Sequence, residues 1–171
     1  MSIDDGQRKV VPGTCAWHNY WGIIMNTGKI LLTVQLWHPF LSADEIIKQI
    51  KKEPKATQNV GEKFVTPKGR IMDYVNKDTY IAYSLSPANE DDLVDAIRMA
   101  NSFLFENIDI FKKLKETGGR IDYYLSIDQK DVSTFIIPPE LFKDCSDLGI
   151  TLGVEIYPEG RAQCLAPVRG I

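Results

Sequence analysis

Histidine and cysteine are the side chains best suited to catalysis or metal binding, and this chain has few of them. There are two histidines, His18 and His38, and three cysteines, Cys15, Cys145 and Cys164. Two histidines cannot build a multi-histidine metal site, and no Cys-x-x-Cys spacing indicates a zinc site or a redox pair. The sequence therefore predicts no metal and no cofactor.

Each of these residues has a structural interpretation beside the chemical one. His38 ends an apolar run and could be a general base or a satisfied structural histidine. His18 lies in the aromatic segment 17–21, which could stack on a ligand or dock an N-terminal arm. Cys145 lies on the apolar stripe of a predicted helix and is expected in the core, whereas Cys15 and Cys164 have no spaced partner.

The usual sequence signatures of enzymes are missing. The chain contains no G-x-S-x-G, no G-x-x-x-x-G-K-[ST], no G-x-G-x-x-G and no H-E-x-x-H. We therefore predict a protein that is not an enzyme. The alternative is a small-ligand binder or enzyme whose pocket, between a sheet and the N-terminal arm, is lined by Trp17, His18, Trp37, His38 and nearby carboxylates.

Alternating residues predict one polar and aromatic face on a β-sheet. If the apolar alternates point inward, the opposite face carries Gln35, Trp37, Tyr80, Ser84, Asp122, Tyr124, Asp128, Glu155 and Tyr157. Aromatic side chains anchor protein interfaces, and carboxylates suit a basic protein but repel nucleic-acid phosphates. We predict a protein-binding surface here; the alternative is that the N-terminal hairpin or the C-terminal tail covers it.

Charge is unevenly distributed although the net charge is only −3. Residues 48–77 carry eight basic side chains against three acidic ones, and residues 122–159 carry eight acidic against two basic. Few aromatic side chains accompany the basic segment, so we interpret it as a solvated loop rather than a nucleic-acid site. No nucleic-acid partner is predicted.

Apolar periodicity predicts the elements that must position these residues. Strands are expected at 20–25, 30–38, 79–85, 120–128 and 151–157, the first two joined as a hairpin through 26–29, with a short second strand after 128. Ser42 and Glu45 form a capping box for a helix that Pro54 ends. Residues 55–77 are expected as a long loop or a loose hairpin.

Two more helices follow from caps and stripes. Asn89 is the expected N-cap of a long helix, bent near Asn107 and ended by the two glycines at 118–119. Its apolar stripe comprises Leu93, Ile97, Ala100, Leu104, Ile108, Phe111 and Leu114. Pro139 opens a third helix, with Leu141, Phe142 and Cys145 expected inward.

The predicted fold is an α+β two-layer sandwich, a mostly antiparallel sheet with helices on one face and a βαββαβ-like core. Its organisation is an N-terminal arm with the first hairpin strand (1–29), a single domain (30–158) and a C-terminal tail (159–171). The chain is 44% hydrophobic and 25% charged, as in globular proteins, and no apolar run reaches the roughly 20 residues of a membrane span. Its acidic N-terminus and unpaired cysteines predict a cytoplasmic protein with no membrane partner.

Several segments together resemble an uncharacterised bacterial family catalogued as domain of unknown function 4279. The resemblance covers about residues 30–157 and rests on the segment 42–46, the Pro54 and Gly61 pair, the strand at Tyr80 and the long helix. Its most specific part is the closing pattern at 138–142, 148–150 and 155–157. It implies a small bacterial cytoplasmic domain and assigns no catalytic residues.

Taken together, these features predict a non-enzymatic protein-binding domain. Small acidic bacterial domains without catalytic residues include immunity proteins, which neutralise a cognate toxin that is commonly basic. A basic toxin domain is therefore the expected partner, and the oligomeric state stays open, because a homo-oligomer could bury the same face.

Overall fold

The computed structural model describes residues 29–66, 68–85, 92–129 and 134–158, apart from the side chains of Gln129 and Pro158. The predicted arm and first hairpin strand, with Trp17 and His18, therefore lie outside the described residues, as do Cys15, Asn89, Cys164 and the tail. The described chain has seven strands and four helices. The strands are β1 (Ile30–His38), β2 (Ala56–Gln58), β3 (Lys63–Val65), β4 (Ile71–Val75), β5 (Thr79–Leu85), β6 (Arg120–Gln129) and β7 (Thr151–Pro158). The helices are α1 (Ala43–Ile47), α2 (Leu93–Glu106), α3 (Ile108–Glu116) and α4 (Pro139–Asp147).

Five strands form the main sheet in the order β2-β5-β1-β6-β7, while β3 and β4 form a separate two-stranded hairpin. The β2–β5, β5–β1 and β1–β6 pairs are antiparallel, and β6 and β7 are parallel, joined by a crossover through α4. The helices contribute to one core on one face of the sheet. The α+β two-layer prediction is therefore confirmed.

Alternation along the strands builds the core. Leu32 and Val34 of β1 are fully buried, and so are the residues paired with them: Leu85 and Tyr83 of β5 are buried, as are Leu125 and Tyr123 of β6. Almost the whole predicted stripe of the long helix packs against them, and only Ile108 is half-buried. Val154 and Ile156 of β7 are exceptions, because β7 is the last described strand of the sheet and their side chains are 52% and 60% exposed.

The capping box predicted for the first helix is confirmed. Ser42 Oγ accepts from the Glu45 amide, and the Glu45 carboxylate accepts from the Ser42 amide at 2.8 Å. These bonds to Ser42, backbone first and side chain second, hold the pKa of Glu45 below its ordinary value. The helix ends at Ile47 rather than continuing to Pro54, and residues 48–52 are turns and bends.

The long helix is two helices. Asp92 is the N-cap of α2, because its carboxylate accepts from the Asp95 amide at 3.0 Å, so the helix begins later than the prediction that placed the cap at Asn89. The break at Asn107 occurs where the Asn107 side-chain amide donates to the Phe103 carbonyl at 2.8 Å. Such side-chain bonding competes with the helical ladder and accounts for the interruption.

The segment predicted as a loop or loose hairpin contains three short strands. Its hairpin of β3 and β4 turns at Gly69, whose φ of +79° is a conformation that glycine adopts at little cost. The β2 strand extends the main sheet, which the sequence prediction missed. All eight basic side chains of residues 48–77 are exposed.

The fourth helix begins at Pro139 as predicted, with Leu141 and Cys145 buried. Phe142 was expected inward, but its side chain is 50% exposed because it lies one position off the buried stripe. The short second strand predicted after β6 is not found at residues 134–138, which are irregular, and residues 130–133 lie outside the described part.

Candidate functional site

All nine residues predicted on the polar and aromatic face lie on one face of the sheet, opposite the helices, which we call the outer face. The register places Tyr80 beside Trp37, and Asp122 beside Gln35. Tyr124 pairs with Thr33 of β1, Glu155 with Ser126 and Tyr157 with Asp128, so the register places them on the same side. Side chains at paired positions point to the same side of a sheet, so the predicted grouping is what the register produces.

One end of the outer face carries an aromatic cluster of Trp37, Tyr80 and Arg120. The Trp37 and Tyr80 rings are 5.2 Å apart, and the Arg120 guanidinium lies 4.4 Å from the Trp37 ring centre in a cation–π contact. Arg120 Nε also pairs with Asp122 Oδ2 at 3.1 Å. Burial raises the pKa of Tyr80 to about 12, so its phenol stays neutral at physiological pH.

Arg120 was not among the predicted site residues, although its position in the sequence indicates that it lies on the outer face. It stands two positions before Asp122 and therefore has the parity of the outer face. A guanidinium stacks on an aromatic ring and binds a carboxylate at the same time, because its charge is delocalised over a planar group. Arg120 thus orders Trp37 and Asp122 relative to each other.

The centre of the outer face is buried rather than exposed. Gln35 is 4% and Tyr124 is 8% exposed, and their neighbours Thr33 and Ser126 are 3% and 1% exposed. Thr33 Oγ1, Ser126 Oγ and one Asp122 oxygen have no hydrogen-bond partner among the described residues. The alternative that the N-terminal hairpin or the tail covers this face concerns residues outside the described part.

The other end of the outer face carries an acidic cluster of Asp128, Glu155 and Tyr157. Asp128 pairs with Tyr157, and Glu155 pairs with Ser126, in the β6–β7 register. All three side chains are half-buried, so each keeps part of its surface in contact with solvent. Lys29, the residue before β1, lies beside this end because its carbonyl accepts from the Asp128 amide at 3.0 Å.

The two clusters are far apart. Arg120 and Asp128 are eight positions apart along β6, and at about 3.3 Å per position this places the clusters about 26 Å apart. A small molecule cannot touch both ends at once. An interface of standard size, about 800 Å² per partner or about 28 Å on a side, can.

His38 lies on the opposite side of the sheet and does not line the outer face. Its ring is 1% exposed; Nδ1 is 3.0 Å from the Leu41 amide, and Nε2 is 3.0 Å from Thr117 Oγ1. The Leu41 amide donates to Nδ1, so the neutral ring carries its proton on Nε2. The pocket predicted with Trp37 and His38 side by side therefore does not form from these two residues.

The structural interpretation of His38 is supported by its electrostatics. Burial lowers the pKa of His38, and this effect exceeds the opposing influence of the Asp78 and Glu45 carboxylates. A neutral ring held by backbone amides serves to shape the turn after β1 rather than to exchange protons with a substrate.

A buried network of polar side chains joins α2, β6 and α4. The Tyr123 hydroxyl donates to Asn101 Oδ1 at 2.8 Å, the Asn101 amide reaches Asp144 at 3.4 Å, and Cys145 Sγ lies 3.9 Å from Asn101 Oδ1. Burial raises the pKa of both the Tyr123 phenol and the Cys145 thiol. Raised pKa values make both groups poor nucleophiles, so this network is structural.

A cavity of about 250 Å³ lies between α3, β6 and α4, away from both clusters of the outer face. Its floor is apolar, with Phe111, Ile121 and Ile150, and its rim holds Lys112 and Asp147. It is smaller than the roughly 300–1,000 Å³ of typical ligand pockets and brings no histidine near an acid. We assign it no function.

Among the described residues, no group of three or more histidine, cysteine, aspartate or glutamate side chains could hold a metal ion. Within the same ranges, no helix combines the length and the apolar character needed to cross a membrane. Comparison with known proteins found no matching family model, no matching curated sequence and no matching solved structure. The resemblance to domain of unknown function 4279 therefore stays a prediction.

Proposed function

We propose that this protein is a non-enzymatic binding domain that recognises another protein through the outer face of its sheet. The observation that supports this most strongly is the separation of the aromatic cluster from the acidic cluster. Both clusters lie on one face, about 26 Å apart, which matches the width of a standard protein interface and exceeds that of a small ligand.

The chemistry of the two ends indicates what the partner offers. Trp37 and Tyr80 present rigid aromatic surface, which commonly supplies the energetic centre of an interface. The described strands of the outer face carry three carboxylates and the Arg120 guanidinium, and Lys29 beside them reduces the net charge of the face to −1. A partner with aromatic or aliphatic anchors and a mildly basic rim fits this surface.

The buried centre limits which residues act in binding. Gln35 and Tyr124 were predicted to contact a partner, but they are too buried to do so directly. We assign them to support of the outer face, and we assign contact to the half-buried residues of the two clusters. The binding energy is then concentrated at two separated spots.

An immunity protein that neutralises a bacterial toxin is the specific partner relationship we propose. The support is the acidic cluster, which complements a basic toxin. Co-expression with a captured toxin tests it: the wild-type protein restores growth of toxin-producing cells, and Glu155→Lys restores it less. Equal rescue by both proteins would leave the acidic cluster without a role.

The experiment compares baits altered at each end of the face. Trp37→Ala removes the aromatic anchor, and Glu155→Lys reverses charge at the acidic cluster. The matched controls are Phe105→Ala and Glu116→Lys, an exposed aromatic and an exposed acid on the helical side. Each bait is first checked for an unchanged circular dichroism spectrum.

We expect the wild type and both controls to capture the same protein from native lysate, and both outer-face variants to lose most of it. Loss at both ends supports a wide interface. Loss at one end alone would point to a small, local site, and retention by both variants would remove the outer face from consideration.

A further inference from the structure

The two edges of the main sheet differ in the way they meet solvent. At one edge, β2 has only three residues and follows Pro54 and the exposed Lys55. At the other described edge, β7 has eight residues and a single charged side chain, Glu155. Proteins protect free edges with short strands, prolines and lysines; of the two edges that the described strands form, β2 carries these features and β7 does not.

The β7 edge also exposes apolar surface on the helical side of the sheet. Val154 and Ile156 point to the core side of the sheet, because they pair with Leu125 and Ile127 of β6, which are fully buried. Yet they are 52% and 60% exposed, because α4 packs toward α2. Among the described strands, only β6 pairs with β7.

The sequence of β7 fits a second copy of itself. Antiparallel pairing about a two-fold axis at Val154 uses residues 151–157, places Ile156 opposite Leu152 of the second copy and sets Glu155 opposite Gly153. The register centred on Glu155 would oppose two like charges, and the register centred on Gly153 pairs only residues 151–155. Like charges directly opposite destabilise a sheet, and apolar pairs stabilise it.

We propose that β7 pairs with β7 of a second copy of this chain, antiparallel and with Val154 on the two-fold axis, so that the five described strands of each copy join in one continuous sheet. The pairing extends the sheet by backbone hydrogen bonds between the two β7 strands and covers Val154 and Ile156, which are exposed on the same side of the sheet. The aromatic cluster of each copy lies on β1, β5 and β6 and therefore stays away from the β7–β7 contact. The inference does not depend on the proposed function.

The charge of Glu155 gives the dimer a diagnostic property. In this register the two Glu155 side chains are diagonal neighbours, about 7–8 Å apart. Their repulsion weakens the dimer moderately and is screened by salt. Glu155→Gln therefore dimerises more tightly than the wild type at low ionic strength, and the difference shrinks in 1 M salt.

Sedimentation equilibrium over about 1–300 µM compares the wild type with Ile156→Lys and Ile71→Lys. Ile71 is a matched control because it is an isoleucine in a strand with 65% exposure, on the separate hairpin. We expect the wild type and Ile71→Lys to dimerise and Ile156→Lys to bind at least about tenfold more weakly. A wild type that stays monomeric, or a dimer indifferent to Ile156→Lys, overturns the proposal.

A cross-linking pair fixes the register and covers the case in which Ile156→Lys fails to fold. Residues on the two-fold axis face each other at about 4.5–5.5 Å between Cα atoms, within disulfide reach. Val154→Cys should form a dimer under mild oxidation, above the background of the wild type with its native cysteines. Efficient cross-linking of Glu155→Cys instead of Val154→Cys contradicts the register.

Discussion

His38 shows that the role of a single side chain depends on its surroundings, which decide here for the structural one of its two interpretations. Because His38 follows Trp37 at a strand end, the two could line a ligand pocket or supply a general base. Side chains alternate along a strand, however, so the two point to opposite faces of the sheet. The ring is buried between the turn after β1 and Thr117, and its nitrogens are used by a backbone amide and a hydroxyl. The opposite orientation of the two side chains could be predicted from their adjacent positions on the strand. The hydrogen bond to Thr117, 79 residues away, could not be predicted from the sequence.

Because folding lowers the pKa of His38, the free energy of unfolding should depend on pH in a specific way. The unfolded chain binds a proton at the ordinary pKa of about 6.5, whereas the folded chain binds it only at lower pH. The contribution of the neutral ring is therefore fully present above pH 6.5 and is lost as pH falls from 6.5 toward the lowered pKa.

We predict that His38→Asn flattens this acid limb of the stability curve. An asparagine oxygen can accept from the Leu41 amide in place of Nδ1, but it does not titrate. The variant should lose about 1–2 kcal/mol at pH 7.5 and less at pH 5, where the wild type has itself lost stability. Urea unfolding at pH 5, 6 and 7.5 measures the difference. A constant difference across pH would show that His38 is not the titrating group.

At the scale of elements, local sequence signals predicted whether a segment is a helix or a strand better than they predicted where it begins and ends. The capping box at Ser42, Pro139 at the start of α4 and the strand at 79–85 are all confirmed, because each depends on neighbouring residues. The predicted bend near Asn107 coincides with the break between α2 and α3, whereas the predicted N-cap at Asn89 differs from the cap at Asp92, although both features rest on local bonds. Only the pairing of β2 with β5 depends on residues distant in sequence.

The Asp92 cap gives a direct test of where α2 begins. Asp92→Ala removes the acceptor for the Asp95 amide and should lower the free energy of unfolding by about 1 kcal/mol, or about 2–4 °C in Tm. Asp109→Ala is the control, since it lies in the first turn of α3, where no side-chain cap forms. Calorimetry of the two variants should separate them, and equal losses would argue against the Asp92 cap.

The end of α4 is capped by another helix. Lys115 of α3 donates to the Leu148 and Gly149 carbonyls at 2.6 and 2.8 Å, so an ammonium satisfies carbonyls at the negative end of the α4 dipole. A Cβ at Gly149 would collide with Lys115 Nζ, and Gly149 has a φ of +59°. The contact fixes α4, and therefore β7, against α3.

Lys115→Met should accordingly destabilise the fold by about 1–2 kcal/mol, because the carbonyls lose a charged donor while the aliphatic packing is retained. Lys112→Met on the exposed side of the same helix is the control and should change stability by less than about 0.5 kcal/mol. Chemical denaturation provides both values. A Lys115→Met protein as stable as its control would mean that water serves these carbonyls equally well.

At the scale of the whole molecule, the sequence predicted the layers and the membership of the outer face, but not its accessibility. Period-2 alternation assigned each residue to a side, and the register confirms those sides. Burial of Gln35 and Tyr124 depends on what neighbours them in space, and exposure of Val154 depends on β7 lying at the edge. Neither property is encoded in the alternation.

Side-chain footprinting of the protein with its captured partner tests the central claim most directly. Hydroxyl radicals oxidise exposed aromatic side chains, and the outer face carries Trp37 and Tyr80 at one end and Tyr157 at the other. We expect the partner to slow oxidation at both ends, while Phe105 and Phe142 on the helical side stay reactive. Protection confined to the helical side, or to one end of the outer face, would contradict it.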